Sequence, residues 1–382
     1  MSLVYSRREG IGYPGDPRWL RGVLETEAPI APTSTQVNRF RSLMFGLLLA
    51  LLLAGCASSN PKTEKQFGES VVFIGEVPAS LAVLPLNHQP LQVRSAFRRQ
   101  SNTVTYVEGR DYVVDWSAGT LRRTSDSRLP EFRTNVLFGA ENFDHSKYPG
   151  FGNTAFFAFV DYEHTPGPPW PIQPNQTQLL PRSDARLTHG GPFKIVAFGD
   201  SITAGGDATS SELIFWKRWT DYLQRRYPAA EITAINGATG GDSTVQGLQR
   251  LADKVLAQQP DLVLVGFGMN DHNRGGVPVA QFAANLRTIV QRIRAETSAE
   301  VVLFSAFPPN PKWAFGSHHM EDYATATAQV AAETGCAYAD VFTNWQAVAA
   351  RKKPEDLLGN DINHPNDFGH DLYYRVFVNL GL

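Results

Sequence analysis

The chain has 382 residues, enough for two domains, and its hydrophobic content of 42% suffices for a globular core. Its 35 basic and 37 acidic side chains nearly cancel, to a formal net charge of −2, which argues against nucleic-acid binding or a strongly charged partner surface. Two cysteines, Cys56 and Cys336, make neither a disulfide framework nor a zinc cluster. Cys336 opens an apolar run and reads as a buried, inert thiol.

The first feature along the chain is an apolar run. Arg39 and Arg41 precede Met44-Phe45-Gly46-Leu47-Leu48-Leu49-Ala50-Leu51-Leu52-Leu53-Ala54-Gly55-Cys56. About a dozen apolar residues are too few for a comfortable membrane span and suit a signal peptide. Leu53-Ala54-Gly55-Cys56 resembles the bacterial lipoprotein signal, which implies cleavage before Cys56 and lipid modification of that cysteine. Multiple acyl chains, at about 0.8 kcal/mol per buried methylene, would anchor the protein firmly to a membrane. Ala57, not aspartate, follows the cysteine, so the resemblance favours outer-membrane delivery, facing the periplasm or the cell surface. Residues 1–55 then read as an N-terminal extension with a signal peptide. Either Met44 or another start that supplies 37–43 as the basic segment fits such a signal. A plain signal peptide ending near Ala57 is the alternative. Residues 56–66 are a polar tether.

From 67 to 164 the texture changes to short β-branched and aromatic runs. Residues 70–74, 103–107, 112–116 and 154–162 read as strands. Ser117-Ala118-Gly119 is the turn of a hairpin that joins 112–116 to 120–124. No helical period appears, which predicts a small β-rich, sandwich-like ancillary domain. Tyr106, Trp116, Phe156 and Phe157 read as its core, with stacking on sugar rings as the alternative. Residues 165–192, rich in proline and glutamine, read as a linker or as a strap across both domains.

Beyond Pro192, apolar strands at 194–198, 231–235, 261–267, 301–307 and 337–341 alternate with amphipathic runs at 245–258, 279–297 and 321–334. Such alternation predicts βαβ units and a parallel sheet with its active site at the carboxyl ends of the strands. Ala197-Phe198-Gly199-Asp200-Ser201-Ile202-Thr203 ends the first strand, where an α/β fold displays a nucleophile; a plain helix N-cap is the other role for Ser201. Asp361-Ile362-Asn363-His364-Pro365 sets a carboxylate three residues before a histidine. A serine hydroxyl needs a base, and that base needs an acceptor to hold its tautomer, so His364 and Asp361 are the candidates. Two more strand ends carry the glycine-rich turn from Asn236 to Asp242 and the run Gly268-Met269-Asn270-Asp271. The N–H of Ser201, the N–H of Gly241 and the Asn270 amide would form an oxyanion hole, each donor typically worth about 3 kcal/mol.

These four segments, in this order, resemble the blocks of the SGNH hydrolases, the GDSL-like esterase/lipase family, over roughly residues 193–382. Ile202 stands where leucine is commoner. The oxyanion glycine falls on Gly241, with Gly240 beside it. The resemblance implies an α/β, flavodoxin-like three-layer domain with about five parallel strands, preceded here by the β-rich domain. It also implies ester hydrolysis with no metal and no cofactor, through Ser201, His364 and Asp361. The substrate does not follow, since the family includes lysophospholipases, thioesterases, arylesterases and carbohydrate deacetylases. An export signal and a sandwich-like domain favour an acetylated carbohydrate. A lysophospholipase or acyl-thioesterase is the enzymatic alternative, and a surface binding protein on a disused hydrolase fold the non-catalytic one. Trp313 and Phe315, after the fourth strand, and Asp271, beside Asn270, are substrate-binding candidates. His272 shares that position beside the site. His318 and His319 point apart and make no metal pair, and His370 reads as structural. The expected partners are the ester substrate and, through the lipid anchor, a membrane.

Overall fold

The computed structural model describes residues 63–166 and 173–382. The apolar run, Cys56 and most of the tether lie outside the described residues. Seven strands come first: β1 (Glu64–Val72), β2 (Ala79–Ser80), β3 (Gln92–Arg94), β4 (Thr105–Tyr106), β5 (Tyr112–Asp115), β6 (Thr120–Arg123) and β7 (Phe157–His164). They form two antiparallel sheets, in the orders β1-β7-β3-β4 and β2-β6-β5. Val71, Val93 and Val160 of the first sheet and Ala79, Tyr112 and Leu121 of the second share one buried cluster, so the sheets face each other as a small sandwich. The expected hairpin is present, with Asp115 opposite Thr120. Strand β1 starts earlier than expected: Glu64, Lys65 and Gln66 already pair with His164, Glu163 and Tyr162. Tyr106 and Phe157 are buried, while Trp116 is half-buried with its ring beside His88.

The second half builds a five-stranded parallel sheet from β8 (Gly191–Gly199), β9 (Ala230–Asn236), β10 (Leu262–Gly266), β11 (Glu300–Phe304) and β12 (Ala337–Ala339). Its order is β12-β11-β10-β8-β9. This is the expected doubly wound α/β arrangement. Strands β10 and β11 are buried at every position, as a sheet covered on both faces requires. The helix Val279–Glu296 turns Phe282, Leu286, Ile289, Val290 and Ile293 onto the core at helical spacing. A capping box of Ser243 and Gln246 starts the helix Thr244–Lys254 directly after the glycine-rich turn.

The proline- and glutamine-rich stretch contains more structure than a linker. Leu180 and Leu187 are buried, the latter within the helix Pro181–His189, which begins on its proline. Gln176 makes two hydrogen bonds to the backbone of Tyr338 on the edge strand β12, one as donor and one as acceptor, each 2.8 Å. Gln173 Nε2 donates to the carbonyl of Val376. Polar residues that read as a linker or strap thus close a sheet edge.

The sandwich and the parallel sheet form one compact unit. The weld joins β1 and the end of β2 to residues 351–358. Val72 N–H donates to the Asp356 carboxylate at 2.7 Å, and Arg351 Nε donates to the carbonyl of Leu81. Lys352 and Glu69 form a fully buried ion pair at 3.0 Å.

Candidate active site

Strands β8 and β10 end side by side, Gly199 opposite Gly266. Ser201 follows as the first residue of the short helix Ser201–Ala204, capped by Asp200, whose carboxylate accepts from Ile202 N–H at 2.9 Å. Burial pushes the Asp200 carboxyl up to about 7. With the turn fixed this way, Ser201 Oγ lies 2.8 Å from His364 Nε2. On the far side of the ring, His364 Nδ1 lies 2.7 Å from a carboxylate oxygen of Asp207. A carboxylate at Nδ1 assigns the proton there and leaves Nε2 to accept from the serine hydroxyl.

The carboxylate at His364 is therefore Asp207, and the expectation for Asp361 is corrected. Asp361 Oδ1 accepts from the amides of Asn153 and Asn310, at 3.2 and 3.3 Å, and its backbone carbonyl accepts from Asn310 at 2.9 Å. A left-handed backbone, φ 59°, turns its side chain into that polar nest. The neighbouring Asn360 side chain accepts from the N–H groups of Ile362, Asn363 and His364 and so shapes the histidine loop. Burial pushes the Asp361 carboxyl up to about 7. Asp207 was absent from the sequence candidates; its one signal is its place after Gly205-Gly206, just beyond the serine helix. It too has a left-handed backbone, φ 58°, which costs a non-glycine residue about 1–3 kcal/mol and persists where the surroundings hold it. Gly206 makes room for the imidazole: a Cβ there would stand 2.8 Å from His364 Nδ1.

Of the glycine-rich turn, Gly240 is placed against the serine. A Cβ on Gly240 would lie 3.8 Å from the Ser201 Cβ, and Gly241 follows with φ 82°, a backbone suited to glycine. Asn270 Nδ2 donates to the carbonyl of Asp242 at 2.9 Å, which pins the amide against the same turn. Among the described residues, neither Ser201 N–H nor Gly241 N–H donates to a protein acceptor.

The substrate-binding candidates fare differently. Asp271 is fully buried and accepts from the backbone and hydroxyl of Thr244, so it caps a helix instead of facing the site. Trp313 is buried in an aromatic cluster, its Nε1 donating to His145 Nδ1 at 3.1 Å. Phe315 beside it is exposed. His272 is fully buried, and burial pushes its imidazole down to about 4. His370 is stacked on Phe215, and its Nε2 donates to the carbonyl of Gly206, supporting the floor beneath His364. Burial pushes that imidazole down to about 4, which keeps it neutral. Among the described residues no group of three histidine, cysteine or acidic side chains is arranged to hold a metal ion.

Comparison with known proteins gives the family. Residues 197–372 match the GDSL-like Lipase/Acylhydrolase family, a stretch that contains Ser201, Asp207, Gly241, Asn270 and His364. The esterase TesA of Pseudomonas aeruginosa is 30% identical over 150 residues, which are 39% of this chain and 70% of that protein. An acetylxylan esterase of Geobacillus stearothermophilus is 25% identical over 206 residues, 50% of this chain and 94% of that one. A crystal structure of an acetylxylan esterase from that organism gives a TM-score of 0.44 at 24% identity, over 51% of this chain and 97% of that one.

Proposed function

The chain belongs to the GDSL-like lipase/acylhydrolase family and is a carboxylic ester hydrolase, and on that premise we propose that Ser201, His364 and Asp207 are its catalytic triad. One observation carries the reading: the unbroken relay from Asp207 through His364 to Ser201 Oγ, with contacts of 2.7 and 2.8 Å. Ser201 Oγ attacks the acyl carbonyl while its proton passes to His364 Nε2, and Asp207 steadies the imidazolium. The electron pair moves to the carbonyl oxygen, which sits among the N–H groups of Ser201 and Gly241 and the Asn270 amide. Collapse expels the alcohol, which takes the proton from His364. Water then attacks the acyl-enzyme with His364 again as base, releasing the acid and restoring Ser201.

For the substrate we propose a short acyl ester of a carbohydrate. The name of the acetylxylan esterase relative, similar over half of this chain, supports that class. So does the mouth of the site, where Thr154 and Asn360 line the cavity beside His364. A fluorophosphonate probe should label the parent and not Ser201→Ala, and turnover of p-nitrophenyl acetate should vanish in that variant. Wild-type turnover by Ser201→Ala would refute the nucleophile. A chain-length series that peaks at long acyl groups would replace the carbohydrate ester with a lipid or thioester substrate.

We also propose that Cys56 carries a lipid anchor on an exported protein, probed by mass spectrometry of the mature native chain. Retention of residues before Cys56 would overturn it.

A further inference from the structure

Two cavities adjoin the His364–Asp207 pair, and the sandwich side of the molecule walls both. The larger, about 510 Å3, is bounded by Phe151, Thr154 and Ala155 on that side and by Asp207, Asn360 and His364 on the other. The smaller, about 180 Å3, is bounded by Phe97, Arg98 and Gln100 opposite Thr209 and Asp367. Thr154 and Asp207 line both, so the two meet at the aspartate of the triad. Past Phe151 a row of rings continues outward. The rings of Phe151 and His145 are 5.3 Å apart, those of His145 and Phe315 5.9 Å, and Phe315 is 43% exposed.

We propose that this seam is one glycan-binding cleft that seats a chain of pyranose units across the sandwich and the catalytic domain, with the acyl group to be removed near its middle. The proposal rests on the carbohydrate-ester reading above and adds where the sugar chain lies and which half of the protein holds it. Aromatic faces offer a surface for the C–H face of a pyranose, and Gln100, Thr154 and Asn360 supply the few convergent polar groups that fix hydroxyls. The larger cavity is lined by His364 itself, whose Nε2 lies 2.8 Å from Ser201 Oγ, so an acyl group on a unit seated there lies beside the proposed nucleophile. The wall is rigid with respect to the histidine loop: Asn153 N–H donates to the carbonyl of Gly359 at 2.7 Å, and its side chain donates to that of Leu358 at 3.0 Å. Asn135 in turn donates to the Asn153 side chain at 2.9 Å. Phe151 is thereby held two residues from a clamp on the loop that carries the base.

The test uses the full chain with acetylated xylo-oligosaccharides of increasing length beside p-nitrophenyl acetate. KM should fall as the oligosaccharide lengthens from a disaccharide. Phe151→Ala should lower the ratio of kcat/KM on the longest oligosaccharide to that on p-nitrophenyl acetate by about tenfold. Gln100→Ala, at an exposed position where folding is not at stake, should lower the same ratio by a smaller factor. Hydrolysis of oligosaccharides with a length-independent KM and unchanged ratios in both variants would overturn the cleft and leave the carbohydrate-ester reading standing. No hydrolysis of any acetylated oligosaccharide, with ready turnover of long-chain acyl esters, would remove that reading and the cleft together.

Discussion

Two aspartates lie near His364, and the hydrogen bonds separate them cleanly. Asp207 faces Nδ1, while Asp361 is held by Asn153 and Asn310. Asp207→Asn should therefore lower kcat on p-nitrophenyl acetate by about 10²- to 10⁴-fold, because the amide stabilises the wrong tautomer and no imidazolium. Asp361→Asn should keep most of kcat, its amide oxygen still accepting from the two asparagines. The reverse ranking would return the acid to Asp361. A second expectation concerns pH. The Asp361 carboxyl has an ordinary value of 3.8 and is raised to about 7 in the folded protein, so the native state binds the extra proton between them. Its contribution to stability is full below about pH 4 and is lost as pH rises toward 7. Asp200 acts in the same direction. Urea unfolding at about pH 5 and pH 8 should show a smaller loss for Asp361→Asn than for the parent; equal losses would remove burial of this carboxyl as a cause. Ser201, His364 and the glycine-rich turn stood out in the sequence because each sits at a strand end or in a loop beside it. The partner of His364 Nδ1 was not legible, since a spacing of three residues does not reveal the left-handed backbone at Asp361 or the amides that arrive from residues 153 and 310. Burial hid the fates of Trp313 and Asp271 in the same way.

At the level of elements, alternation of apolar strands and amphipathic runs was enough to place all five parallel strands, and the hairpin β5–β6 followed from its turn. The helix Pro181–His189 escaped notice, and between the linker and strap readings the sequence could not choose, because glutamines that satisfy an edge strand look in sequence like glutamines that face water. The attachment of β1 to residues 351–358 was hidden for a related reason: Glu69 and Lys352 are residue types that usually mark a surface. Here both are fully buried, and Lys352 also donates to the carbonyl of Ser80 at 2.9 Å. Lys352→Met would strand the Glu69 carboxylate in the interior, at a cost of about 3–5 kcal/mol. Urea midpoints would read the loss, and the double variant with Glu69→Gln should recover part of it. A cost under about 1 kcal/mol would mean that solvent reaches the pair.

For the molecule as a whole, the sandwich is not an appendage. Asn153, Ser70 and Val72 all bond to residues 356–361, the segment that leads into His364. A fragment limited to residues 173–382 should thus lose p-nitrophenyl acetate turnover, where a detachable binding module would leave it intact. Activity of the fragment within about twofold of the full chain would contradict this coupling. The catalytic relay also has an order in time. Ser201 and Asp207 are made together, but the imidazole that joins them comes 163 residues after the serine. A nascent chain that has just exposed Ser201 and Asp207 still lacks the histidine that bridges them. On the proposed triad, the chain gains its activity toward esters only when the C-terminal segment has docked.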